Sequence, residues 1–495
     1  MRTLCEFVAL LVITAAACFS LWQWRTSQPT QVTGTAIDMT TGKPVPNAKI
    51  RFRTLNTSIG AFITDSRGHF SAEGLPAPEF YVLWVDHPHY AGMLGTRLGT
   101  GIPLYTPGQR ERGVIVPAIP GGEISGRVFD EAGNPVVGCL LTALVPGHVS
   151  GALILEQRFD VRTDSRGAYR FANIDADRYY LSAQCDKLSL GETQDVYGVT
   201  STDWRRRKSW LHVLYPDARL INGAKAIIVP PGTKKTGIDF HLHSVEAFSI
   251  RGRFVRAKKE KPVQTAVYFT DFLFSSNGTA IPPIFPGYGC RWDAHSTMFR
   301  CDFVTPGSYR LQMSLSTGWP PVIKGAFVSD LSDPQTGTMD VQIDSQPPPE
   351  LKLQLHERRE PRGLNHSMSD QRSGASTGEL EVVMETSGRD GLLCPTFLYT
   401  FPSQVPSEGS QNHYLSCAVP VTQQMTPGAY SVAACSRDFW SLSPKPAILE
   451  LIAQRGAGVT VKAHKKTVVE IPVFKVHDIY QMVLDYLHRP TLVTN

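Results

Sequence analysis

The segment Thr64-Asp65-Ser66-Arg67-Gly68 returns as Thr163-Asp164-Ser165-Arg166-Gly167, and in both copies an aromatic, Phe70 or Tyr169, stands two residues past the glycine. An internal repeat of this kind constrains the fold more than any single motif, because every copy must build its own core. Each copy lies between an opening strand rich in Gly, Thr and Val and a later strand of alternating apolar residues, the layout of a small antiparallel β-domain. At about 100–150 residues per domain, a chain of 495 residues accommodates three to five such domains, and four fit the repeats. The 41 Gly and 36 Pro interrupt the chain too often for long helices to develop. The expectation is an all-β chain, a tandem array of about four small antiparallel β-sandwiches behind an N-terminal export or anchor helix.

The first unit, residues 30–118, opens at Val32-Thr33-Gly34-Thr35-Ala36-Ile37-Asp38 and continues into a strand in which Ile50 and Phe52 face inward while Lys49, Arg51 and Arg53 face water. In the repeated turns, Asp65 and Asp164 are placed to accept backbone N–H bonds, and Gly68 and Gly167 to take the positive φ that a Cβ opposes. The second unit, residues 119–245, runs in the same order from Ile124-Ser125-Gly126-Arg127-Val128 to Tyr179–Cys185. A terminal hairpin around Pro107-Gly108, Pro231-Gly232 and Lys465-Lys466 is expected to close three of the sandwiches. Units three (246–345) and four (346–475) lack Thr-Asp-x-x-Gly; their late strands follow Thr305-Pro306-Gly307-Ser308-Tyr309 and Thr426-Pro427-Gly428-Ala429-Tyr430. Within unit four, the polar stretch 356–378 is expected to be a disordered linker. In the tail, 476–495, Ile479, Met482, Val483 and Tyr486 recur at helical spacing, which predicts one short amphipathic helix docked on the last sandwich.

The order Gly-x-x-x-Asp-x-x-Gly-x-Pro-Val, then Thr-Asp-x-x-Gly-x-Tyr/Phe, then Leu/Val-x-x-Gly-x-Tyr, with near equivalents in units one and two, is similar to the carboxypeptidase regulatory-like domain. Leu214-Tyr215-Pro216, Asp239-Phe240 and Ile250-Arg251-Gly252 also resemble multi-repeat exported proteins of this family in soil bacteria. The resemblance implies prealbumin-like or Ig-like sandwiches, near in shape to starch-binding modules, in accessory, adhesive or sugar-contacting roles rather than as enzymes. Units three and four depart from its pattern.

Residues 1–28 hold an uncharged apolar run, Phe7 to Trp22, flanked by Arg2, Glu6 and Arg25. This reads as a signal peptide or, if retained, as a membrane anchor with Trp22 and Trp24 at the interface. Ala15-Ala16-Ala17-Cys18 also resembles a degenerate lipobox that would lipidate Cys18. An exported chain meets oxidising conditions, and of the seven cysteines beyond this segment the pairs Cys139–Cys185, Cys290–Cys301 and Cys394–Cys435 are expected to bridge, leaving Cys417 unpaired. The alternative is that several are small buried hydrophobes.

Few residues suggest chemistry. Lys and Arg exceed Asp and Glu by 49 to 44, so the field that nucleic-acid binders need is missing. His243-Ser244-Val245-Glu246 matches a His-x-x-Glu zinc pair, but its strand context offers no further ligand or base, and neither metal nor cofactor is expected. Gly374-Ala375-Ser376-Thr377-Gly378 satisfies Gly-x-Ser-x-Gly without the strand and helix that a nucleophile elbow requires. One carboxylate per turn is too few for calcium at Asp65 or Asp164. The densest surface-like feature is Trp204-Arg205-Arg206-Arg207-Lys208-Ser209-Trp210. Indoles stack on sugar faces and Arg forks grip carboxylate, sulfate or phosphate, so Trp204, Arg205, Arg206, Arg207 and Trp210 form a candidate site for a glycan or anionic envelope polymer. The same residues also read as a solvated basic loop with its indoles packed on the second sandwich. The function expected is that of a non-enzymatic exported protein of the periplasm or cell surface. It would act as a scaffold or adhesive module whose partners are other envelope proteins or polysaccharide, with membrane contact only through the N-terminal segment. Carbohydrate binding by starch-binding-like domains is the alternative, and a hydrolase a remote one.

Overall fold

The computed structural model describes residues 29–488 except 55–56, 78, 92–99, 105–106, 150–151, 186–207, 256–263, 272, 275–279, 282–286, 290, 293–297, 317–321, 324–325, 328–334, 345, 347–348, 358–376, 385–395, 403–412, 416–420 and 437–445. The export segment, the polar stretch 358–376 and Cys417 therefore lie outside the described residues. Those described are mostly strand, arranged as a tandem of β-sandwiches. They fall into two compact units, one within Met1–Gly121, Asn173–Asp175 and Ser376–Asp485, the other within Gly122–Ala172, Ala176–Ala375 and Tyr486–Asn495.

In the first unit, β1 (Gln31–Asp38), β2 (Lys49–Arg53), β3 (Ser58–Ile63), β4 (His69–Glu73), β5 (Glu79–Asp86), β6 (Thr100–Leu104) and β7 (Arg110–Ala118) form two sheets, ordered β4-β1-β7 and β3-β2-β5-β6. Alternation drives the layering: Ile50 and Phe52 are fully buried while Lys49 and Arg53 are exposed. Phe52 sits at the centre of the core and meets Phe70 and Tyr81 edge to face, with ring centroids 6.1 and 6.2 Å away.

The second unit carries β8 (Gly122–Phe129), β9 (Leu140–Val149), β10 (Ala152–Arg162), β11 (Ala168–Ile174), β12 (Asp177–Gln184), β13 (Lys208–Trp210), β14 (Val213–Leu214), β15 (Ile227–Val229), β16 (Lys234–Lys235), β17 (Phe240–His241) and β18 (Ser244–Glu246). One sheet runs β10-β9-β12-β14, with β15 also on β12; the other runs β11-β8-β16, with β17 also on β8.

The sequence suggests antiparallel sandwiches, and the sandwiches prove to be mixed. The last strand lies parallel to the first: β7 beside β1, and β16 and β17 beside β8. The same holds for Leu351–Gln354 beside Phe248–Val255 and Lys466–Ile471 beside Gly378–Met384. The expected terminal hairpins are instead crossings between sheets. β6 pairs with β5 and β7 with β1, so the turn at Pro107-Gly108 carries the chain from one layer to the other. Close approach of neighbouring chain explains the glycine in the opening strand. A Cβ on Gly34 would overlap the Val114 carbonyl oxygen, one on Gly126 that of Ile238, one on Gly378 that of Lys462, and one on Gly252 would meet the Phe299 ring.

Two further findings differ from expectation. The strand Leu351–Gln354 belongs to the third sandwich, where Leu353 and Leu355 join the core of Ile250 and Phe254, so that sandwich continues past residue 345. The last sandwich carries a helix the sequence reading does not anticipate, α1 (Pro446–Arg455), whose Ile448, Leu449, Leu451 and Ile452 are buried. The C-terminal helix α2 (Val476–His488) buries Ile479, Met482 and Val483. It pairs Asp485 with Arg455 of α1 at 2.7 Å, but it does not pack on the last sandwich alone. Val476 and Tyr480 cluster with Met39 and Ile119 of the first sandwich, and the Tyr480 hydroxyl lies 3.0 Å from Thr40 Oγ1. Among the described residues no helix is long and apolar enough to cross a membrane.

Candidate functional site

The repeated motif is a folding device, and its geometry is the same in both copies. Asp65 Oδ1 accepts the N–H groups of Arg67 and His69 at 2.8 and 2.9 Å, and Asp164 Oδ1 those of Arg166 and Ala168, both at 2.8 Å. Gly68 and Gly167 take φ of +74° and +69°, where a Cβ would strain the turn. These bonds hold both carboxyls below the usual carboxylate pKa of 3.8, chiefly through His69 N–H for Asp65 and Ala168 N–H for Asp164. The preceding threonine, which sequence reasoning passed over, is buried and works harder. Thr64 Oγ1 accepts Ala48 N–H at 2.8 Å and donates to the Val45 carbonyl at 2.7 Å. Thr163 Oγ1 accepts Cys139 N–H at 2.9 Å and donates to the Val136 carbonyl at 2.7 Å. In units three and four Thr-Pro-Gly-x-Tyr plays a comparable part, Tyr309 and Tyr430 donating to the carbonyls of Thr305 and Thr426 at 2.6 and 2.9 Å.

The cysteines divide. Cys139 and Cys185 are joined by a disulfide across neighbouring strands, their Cα atoms 4.4 Å apart and both buried. Cys301 is disulfide-bonded, while Cys290 lies outside the described residues. The expected Cys394–Cys435 bridge is not formed: Cys435 is free and fully buried. Cys435 stands opposite Phe397 in the register of neighbouring strands, and Cys394 lies outside the described residues. Burial pushes the Cys435 thiol pKa up and keeps it protonated.

Of the basic-aromatic candidate, Trp204, Arg205, Arg206 and Arg207 lie outside the described residues. Trp210 is half-buried on β13, opposite Ser244 of β18, and Lys208 stands opposite Glu246. His243 and Glu246 do not converge as a zinc pair. His243 Nε2 is 3.2 Å from Asp217 Oδ2 and its Nδ1 3.8 Å from Glu131 Oε1, so the ring bridges two exposed carboxylates through opposite nitrogens. His241, which the alternation puts on the same face, instead stacks on Phe129 with ring centroids 5.6 Å apart. Among the described residues no cluster of three His, Cys, Asp or Glu is placed to hold a metal.

A groove of about 800 Å³ opens on the outer face of the β11-β8-β16 sheet and the adjoining turn. Its lining includes Arg127 and Phe129 of β8, Arg162 at the end of β10, Arg170 of β11, Asp164 and Asp239. The two aspartates are engaged by backbone: Asp164 in its turn and Asp239 through Arg127 N–H at 2.8 Å, which mends the ladder where β8 departs from its parallel neighbour at Gly126. Arg170 pairs with Glu123 at 2.6 Å, lowering the pKa of that carboxyl. Arg162 donates to the Gly138 carbonyl at 2.9 Å. The guanidinium of Arg127, exposed beside Asp164, makes no hydrogen bond or ion pair among the described residues. Sequence reasoning missed this groove. The signal for it lay in comparing the two repeats at their outward positions.

No protein-family model matches the chain, and no curated protein matches it. Solved structures that it resembles include the Bacillus anthracis TIE protein, at 11% identity and TM-score 0.17 over 67% of this chain and 51% of that one. Others are (S)-allantoin synthase, at 14% identity and TM-score 0.15 over 19% and 41%, and GBS52, the minor pilin of Streptococcus agalactiae, at 10% identity and TM-score 0.22 over 44% and 98%. The chain thus spans about half the length of the first of these. Likeness at such TM-scores carries no argument about activity or partners.

Proposed function

We propose that the protein is an exported, non-enzymatic scaffold or adhesive module of the cell envelope, built from carboxypeptidase regulatory-like sandwiches. The observation that carries this proposal is that the two repeats share their interior and differ at their exterior. Thr64 and Thr163, Asp65 and Asp164, Gly34 and Gly126 do the same structural work in each. The residues that follow the opening-strand glycines, Thr35 and Arg127, and those three past the turn glycines, Ser71 and Arg170, present different chemistry to solvent. A module whose inside serves folding and whose outside varies suits the display of binding faces. The Cys139–Cys185 bridge supports export, since such bonds persist in oxidising compartments. Partners are then other envelope proteins or polysaccharide, and residues 1–28 would deliver or anchor the chain.

The test is to incubate the purified full-length protein with envelopes from the cells that make it and, separately, with panels of peptide and ester substrates. Saturable binding to envelopes without turnover is expected. Turnover of any substrate, or no binding to envelopes, would overturn the proposal.

A further inference from the structure

The outward residues of β8 alternate as Ser125, Arg127 and Phe129 along one face of the sheet, about 13 Å from first to last at the rise of a strand. Arg170 joins them from β11, and Arg162 borders them across the turn. In the first sandwich the matching face is closed on itself. Thr35 Oγ1 meets His69 Nδ1 at 2.9 Å, and Gln31 donates to Ser71 and Glu73 at 3.1 and 2.9 Å. In the second, arginines stand at the positions corresponding to Thr35 and Ser71 of this network, and Arg127 presents a fork with no hydrogen bond or ion pair among the described residues.

We propose that this groove binds a carboxylated polysaccharide, a uronate-type polymer whose carboxylates dock on Arg127, with Arg162 beside it, and whose sugar faces lie against Phe129. A planar guanidinium matches a carboxylate in two parallel hydrogen bonds, and an aromatic ring offers a flat apolar face to the C–H side of a sugar. Phe129 is already positioned for this by the stacked ring of His241 behind it. Two observations select this ligand over other polyanions. Asp164 and Asp239 stand in the same lining, which disfavours a densely charged polyphosphate but tolerates one carboxylate per sugar. β8, which carries Arg127 and Phe129, has strands on both sides, so these two residues lie away from any backbone edge on which an acidic peptide could add as a strand. The inference goes beyond the scaffold proposal and is tested separately from it.

The experiment titrates the full-length protein with polygalacturonate at low ionic strength, with dextran and poly-glutamate as comparison polymers. Binding to polygalacturonate is expected to weaken as salt is raised and to weaken about tenfold or more in Arg127→Gln, the loss of a charge-assisted pair. Arg127→Lys, which keeps the charge and loses the fork, should recover part of that loss, and Gln31→Ala, on the matching face of the first sandwich, should leave affinity as in the parent. Because Arg127 is exposed, its variants should melt at the parental temperature. Equal affinity of Arg127→Gln and parent, or dextran or poly-glutamate binding as tightly as polygalacturonate, would overturn the proposal.

Discussion

Two hydroxyls decide how firmly the repeated turns are held. Thr163 is buried and joins a donor and an acceptor from the segment before β9, so replacing its hydroxyl with a methyl strands both. Thr163→Val is expected to cost about 2–4 kcal/mol, read as a lower denaturant midpoint at unchanged slope. The neighbouring carboxylates act through pH. Since Asp65 and Asp164 have lowered pKa values in the fold, their contribution is complete above the unfolded value near 3.8 and fades as pH falls through the lowered ones. The Asp65→Asn/Asp164→Asn double variant should therefore lose less stability than the parent between pH 7 and pH 3, which urea titrations at the two pH values would show. The carboxylate and glycine roles were legible because both act within five residues. The threonine role was not, because Thr64 and Thr163 reach Val45 and Val136, and only the folded chain brings those carbonyls near.

Among the elements, strand existence was legible from alternation, while strand direction was not. Pro-Gly between two apolar runs signals reversal whether the chain pairs with itself or passes to the opposite sheet. The opening-strand glycines held part of the missing information, as Gly34, Gly126 and Gly252 lie where the parallel segment or an aromatic ring passes closely. Gly126→Ala would drive a Cβ into the Ile238 carbonyl, and at about 1–3 kcal/mol for overpacking a rigid contact it should lower the melting temperature, whereas Ser125→Ala on the same strand should not. α1 also had its signal, Pro446 at the start and apolar residues at three- and four-residue spacing, within a chain whose Gly and Pro content argues against helices overall.

At the level of the whole molecule, cysteine count and an apolar leader raised the prospect of export, and partner choice depended on register. Cys139 and Cys185 flank a directly opposed pair, Leu140 and Gln184, whereas Cys435 faces Phe397. Closing a loop of 46 residues stabilises by about 3–4 kcal/mol in the chain-entropy account, so reduction should lower the denaturant midpoint of the parent and leave the Cys139→Ala/Cys185→Ala variant unmoved by that bridge. The groove was illegible in any single stretch because its residues come from three strands and two turns. The most direct measurement is non-reducing peptide mapping of the protein in envelope and cytosolic fractions of the cells that make it. A linked Cys139–Cys185 peptide in the envelope fraction, with Cys435 as a free thiol, is predicted; a cytosolic pool with Cys139 and Cys185 reduced would contradict the account.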